Sequence, residues 1–135
     1  MKTAKLVYCL DGFHTVEIPI HSIDELPFRL QEIKSEASNA INGIFSADVV
    51  LEGFGRISIG IDQRCILAYT SEDFNETYTS LGDETAQGET MYYFGDYTLM
   101  SNQYIIPYES AIEELKGWLR TGELGTAVKW TSQLF

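Results

Sequence analysis

Apolar residues alternate with polar ones through most of this chain, and in only two stretches do they recur at three- and four-residue spacing. Residues 6–10 and 14–20 are β-favouring runs separated by Asp11-Gly12, whose tolerance of positive φ predicts a tight hairpin. Ser22 followed by Glu25 is a capping-box pattern, and Ile23, Leu26, Leu30 and Ile33 then fall on one helical face. Pro27 is compatible only with a first turn, which moves the start toward Leu26. Ser, Asn and Gly over residues 35–43 read as a loop. Three strands over residues 48–52, 56–61 and 65–70 form a meander broken by Gly53-Phe54-Gly55 and Asp62-Gln63.

Residues 71–89 lack periodicity and read as a long loop with one short strand at 78–81. A second hairpin over 91–94 and 97–106 turns at Gly95-Asp96 and leads into Pro107, placed for a first helical position. Ala111, Ile112, Leu115, Trp118 and Leu119 make an apolar stripe, Lys116 and Arg120 suit a helix C-terminus, and Gly122 can end it. Residues 127–130 read as a last strand. The sum is an α+β chain, a single domain over residues 1–135, with a predominantly antiparallel β-sheet and two packed α-helices. Trp118 and Trp130 are read as packing residues.

Charge changes this picture. The chain carries 20 acids against 9 bases, a formal net charge of -11. Between Cys65 and Leu115 it has no Lys or Arg, yet it holds Glu72, Asp73, Glu76, Asp83, Glu84, Glu89, Asp96, Glu109, Glu113 and Glu114. The same stretch holds Tyr69, Tyr78, Tyr92, Tyr93, Tyr97, Tyr104 and Tyr108. Negative charge beside rigid aromatic area suits a basic protein surface and opposes direct binding to nucleic acid or to an anionic membrane leaflet. The same acids also fit a merely solvated face, and strand periodicity does not say which tyrosines face outward. Cys9 and Cys65 are too few for a disulfide framework or a zinc site and read as reduced core residues. The N-terminal apolar run is too short for a signal-peptide core, which favours a cytoplasmic protein.

Candidate chemistry is sparse. His14 and His21 lie seven residues apart, which puts them on opposite faces of a continuous strand. Gly53-Phe54-Gly55 lacks the rest of a dinucleotide fingerprint and leads into a strand instead of a helix. Asp73, Asn75, Thr77 and Glu84 mimic a calcium loop, but Tyr78 stands where that loop needs glycine. The pairs Glu72-Asp73 and Asp83-Glu84 are candidates for acid and base work only if the fold sets their separation. No catalytic residue, metal ligand or cofactor is assigned.

Several segments carry a family likeness: Gly55-Arg56-Ile57-Ser58-Ile59-Gly60-Ile61, Leu67-Ala68-Tyr69, Tyr78-Thr79-Ser80-Leu81-Gly82-Asp83, Met91-Tyr92-Tyr93-Phe94, and Ile106-Pro107 before Ala111-Ile112-Glu113-Glu114-Leu115. Trp118-Leu119-Arg120-Thr121-Gly122-Glu123 and then Val128-Lys129-Trp130 complete it. Over about residues 48 to 130 the chain resembles immunity protein family one of bacterial polymorphic toxin systems. The resemblance implies a cytoplasmic, non-enzymatic protein that neutralises a cognate toxin domain, often a nucleic-acid deaminase. It transfers no site residues. Charge and loop position nominate Glu72, Asp73, Glu76, Asp83, Glu84, Glu89, Tyr92 and Asp96 as partner-binding. A structural or adaptor subunit, and a small hydrolase using paired carboxylates, are the competing readings.

Overall fold

The computed structural model describes residues 3–10, 13–40, 44–94 and 96–132. Seven strands form one antiparallel sheet in the order β2-β1-β3-β4-β5-β6-β9. They are β1 (Ala4–Tyr8), β2 (Val16–Ile20), β3 (Phe45–Leu51), β4 (Gly55–Ile61), β5 (Cys65–Ser71), β6 (Thr77–Leu81) and β9 (Lys129–Thr131). Two further strands, β7 (Glu89–Tyr93) and β8 (Tyr97–Ser101), pair only with each other. The helices are α1 (Glu25–Ala40) and α2 (Tyr108–Thr121). The fold is therefore α+β and mostly sheet, as the alternation in the sequence predicts.

Register explains the main core. Tyr8, Ala47, Ile59 and Leu67 stand side by side across four strands, and Leu6, Val49, Ile57 and Tyr69 make the next row. Side chains alternate faces along a strand, so all eight point to one side of the sheet. There they meet Leu26, Leu30, Ile33 and Ala37 of α1 and Ala111, Ile112, Leu115, Trp118 and Leu119 of α2 in one buried cluster. Gln31 Nε2 of α1 donates to the Tyr108 hydroxyl at the head of α2 (3.3 Å), joining the helices.

The first helix outruns its expected end. Ser, Asn and Gly have weak helix propensity, yet residues 35–40 are helical because Ala37 continues the stripe of Leu30 and Ile33 and is fully buried. Pro27 sits in the first turn, and the Glu25 carboxylate accepts from the His21 backbone N–H (3.3 Å), one residue before the expected cap. β3 begins at Phe45, ahead of the expected 48, because Phe45 and Ala47 are core residues. The first hairpin is wider than a two-residue turn: Tyr8 pairs with Val16, and Asp11-Gly12 lie outside the described residues.

At the C-terminal end, Pro107 is the N-cap of α2 rather than its first helical residue, and Gly122 ends the helix at φ 80° with its N–H bonded to the Trp118 carbonyl. Glu114, counted above among the charged stretch, is 1% exposed. Its carboxylate accepts from the backbone N–H groups of Gly125 (2.6 Å) and Val128 (3.2 Å), so it fixes the segment that carries β9 to the sheet edge. Neither cysteine is in a disulfide, and burial pushes the Cys65 thiol up to about 12. No helix among the described residues is long and apolar enough to cross a membrane.

Trp118 is fully buried and meets the Tyr69 ring edge-on at 6.2 Å. Trp118→Ala is expected to lower unfolding free energy by about 3–5 kcal/mol through the cavity it leaves, measured by denaturant titration. A change within about 0.5 kcal/mol would contradict this packing role.

Candidate partner-binding surface

The opposite face of the sheet is covered at one end by the β7–β8 hairpin. Ile66 of β5 points to this side and is buried with Tyr92, Met100, Tyr104 and Ile105, with Leu81 and Phe94 packed against them. Gly60, beside Ile66 in the register, makes room for the Phe94 ring: a Cβ there would stand 2.5 Å from Phe94 Cζ. Ile106 and Cys65 exchange backbone bonds of 2.8 and 2.9 Å, and Gly82 N–H donates to the Gln103 carbonyl at 2.7 Å. The Ser80 hydroxyl donates to the Tyr104 carbonyl (2.8 Å) and accepts from Leu67 N–H (3.0 Å). These bonds fasten the hairpin and the 3-10 turn at Asn102–Tyr104 to the sheet.

Tyr92, nominated above as a contact residue, is corrected by this arrangement. It is 0% exposed, and burial raises the pKa of its phenol. Alternation decides this: Thr90 and Tyr92 face the sheet with Met100, while Met91 and Tyr93 face away. The seven acids Glu72, Asp73, Glu76, Asp83, Glu84, Glu89 and Asp96 are all exposed. The short strand expected at 78–81 within the long loop over 71–89 is present as β6 (Thr77–Leu81), and it divides these acids between two places.

Glu72, Asp73 and Glu76 occupy the β5–β6 turn. The Asp73 carboxylate accepts from the Ser71 hydroxyl (2.7 Å), Asn75 N–H (3.0 Å) and Asn75 Nδ2 (3.1 Å), and this holds its pKa below the usual carboxylate range, the Ser71 bond most strongly. Asp73 and Asn75, two of the residues that mimic a calcium loop, are joined to each other within this turn. At its tip Phe74 adopts φ 63° and is 74% exposed. Asp83, Glu84, Glu89 and Asp96 belong to the other end of β5 and β6, where Asp83 accepts from the Thr85 hydroxyl (2.6 Å) and N–H (2.9 Å) and its pKa is lowered by those bonds. The strand β5 separates the two groups by about 17–20 Å at roughly 3.3 Å per residue.

Two basic side chains on the outer face, Lys5 and Arg56, are paired. Lys5 Nζ lies 2.8 Å from Glu17, and Arg56 Nη1 lies 3.2 Å from Asp48, whose other oxygen accepts from Ser58 (2.6 Å). Asp48 and Ser58 border a cleft of about 440 Å³ between the sheet and the hairpin, with Tyr8, Cys9, Tyr93 and Phe94 on its other walls. Both histidines are exposed, and no group of three or more His, Cys, Asp or Glu is placed to hold a metal among the described residues.

The feature that sequence reasoning missed is apolar. Phe74, Met91, Tyr97 and Leu99 are exposed large side chains, and three of them lie on the hairpin. A signal was available: residues 91, 93, 97 and 99 and residues 92, 94 and 100 are both apolar sets, so this hairpin is apolar in both phases.

Helices close one face of the sheet, while the acidic turns and part of the hairpin are left exposed. Residues 6–132 match the family described as Immunity protein Imm1, and the chain belongs to that family. No curated protein matches it. Its function is accordingly immunity, and its partner is a cognate toxin.

The hairpin's seat is testable. Gly60→Val would drive its side chain into Phe94 and is expected to cost about 1–3 kcal/mol of stability, with faster amide hydrogen exchange in β7 than in β3. Unchanged exchange in β7 would show that the Phe94 seat does not hold the hairpin.

Proposed function

We propose that this protein binds a cognate bacterial toxin domain in the cytoplasm, as one stoichiometric inhibitor without enzymatic activity, and that the toxin is a nucleic-acid deaminase. Family membership supplies the immunity role. The observation that carries the finer reading is electrostatic: nine of the ten acids between Cys65 and Leu115 are exposed, Glu114 being the exception, in a stretch without a single Lys or Arg. An enzyme that acts on a flipped base must first attract a polyanion, so its active-site entrance is rimmed with positive charge. An acidic surface complements that rim, speeds encounter, and blocks nucleic-acid entry once bound.

A hydrolytic reading would need a carboxyl kept protonated near neutral pH. Asp73 and Asp83 go the other way, because hydrogen bonds to their ionised forms lower their pKa. Both remain negative well into acid, which suits them to a standing field. Their carboxylates also hold their turns, so a charge test must spare them.

Titrating this protein into a fixed concentration of its cognate toxin domain should inhibit the toxin to completion near a fixed molar ratio. Trace amounts that inactivate excess toxin by turnover would contradict the reading. Changing Glu72, Glu76, Glu84 and Glu89 together to lysine should preserve the circular dichroism spectrum, slow association strongly, and remove most of its salt dependence. An unchanged on-rate and salt slope would make these acids a solvated face only.

A further inference from the structure

We propose that the outward face of the β7–β8 hairpin is the apolar centre of the toxin interface, and that it takes a partner surface with an apolar patch flanked by Lys or Arg. The inference rests on the immunity reading above and assigns it a place. Met91 pairs directly with Leu99, and Tyr93 with Tyr97, so these four side chains share one face of the hairpin, on which Met91, Tyr97 and Leu99 are exposed while Tyr93 is half-buried and also borders the cleft against the sheet. Met91 is 39% exposed, Leu99 53% and Tyr97 57%, and the rings of Tyr93 and Tyr97 lie 5.1 Å apart.

Folding does not require this face to be apolar. Tyr92 and Met100 on the opposite face already bury the hairpin against Ile66, and a two-stranded ribbon covered on one side ordinarily carries polar residues on the other. Exposed apolar side chains in one row are a contact surface, and aromatic residues and Met are enriched at interface centres.

Charge selects the occupant. Glu89 stands at one end of the row, opposite Ser101, and Asp96 at the other, beside the turn. A partner must therefore bring an apolar patch with cations at its margins, which is the complement expected beside a nucleic-acid groove. A second copy of this chain is disfavoured, because a two-fold contact through this face would gather Glu89 and Asp96 of both copies between two molecules of net charge -11. The row is small beside the roughly 800 Å² that a stable interface covers on each partner, so the acids form its polar rim. Steering by the rim sets the on-rate, and desolvation of the row sets the off-rate.

The test is the affinity of the Met91→Ser/Leu99→Ser chain for a catalytically inactivated form of the cognate toxin domain, by surface-immobilised kinetics, with Phe74→Ser as the comparison. The double substitution should leave the circular dichroism spectrum unchanged, since neither residue belongs to a core cluster, and weaken binding about a hundredfold through the off-rate, with the on-rate and its salt slope kept. Affinity within about threefold of wild type would overturn the assignment, and loss on Phe74→Ser alone would move the centre to the β5–β6 turn. Free wild-type protein should sediment as a monomer; a dimer dissociated by the same double substitution would give the face to a second copy and also overturn it. Wild-type protein that fails to bind the toxin defeats the immunity reading itself, an outcome distinct from a hairpin variant that binds as wild type does.

Discussion

Strands β4 and β5 are apolar on both faces around residues 59–67, and the rest of the molecule is arranged to keep both faces dry. Ile59, Ile61, Cys65 and Leu67 face the helices, while Gly60 and Ile66 face the β7–β8 hairpin. An antiparallel sheet usually leaves one face to water. Here the buried second face demands a cover, and the only segment between β6 and α2 supplies it. Gly60 is the point on which this depends, because any side chain there would occupy the volume of the Phe94 ring.

Covering the sheet this way decides where function can be displayed. With one face closed by α1 and α2 and part of the other by the hairpin, the seven exposed acids named above lie in the turns and on the hairpin. The β5–β6 turn holds Glu72, Asp73 and Glu76, and the region around the hairpin holds Asp83, Glu84, Glu89 and Asp96. Their separation, about 17–20 Å along β5, exceeds the Debye length of about 8 Å at physiological salt, so the two groups act as separate local fields. A partner that reads only one of them is sensitive to which turn is altered, and one that spans both covers most of an edge of the molecule.

The hairpin joins these two themes. Its inner residues complete the second core, and its outer residues, Met91, Tyr97 and Leu99, leave exposed apolar surface at the acidic end of the molecule. Long-range attraction brings partners together quickly but is screened and weak once solvated, whereas desolvated aromatic and aliphatic contacts hold them. Immunity demands both properties, since a toxin must be met promptly and not released.

The sequence by itself determined the elements whose signals are local. Period-2 alternation marked the meander, the stripe from Ala111 to Leu119 marked α2, Gly122 marked its end, and the base-free run of acids was visible directly. Tertiary structure decided everything that depends on which of two equal faces is buried. Helix α1 extends to Ala40 because Ala37 finds the core, against the weak propensity of its neighbours. Glu114 left the exposed set of acids because two backbone N–H groups hold its carboxylate inside. Tyr92 and Tyr93 are adjacent tyrosines with identical local chemistry, and only the pairing of β7 with β8 over Ile66 sends the first into the core and leaves the second half-exposed on the other face of the hairpin. Alternation fixes that neighbours point apart; it takes the packing of a second sheet to say which one meets the solvent.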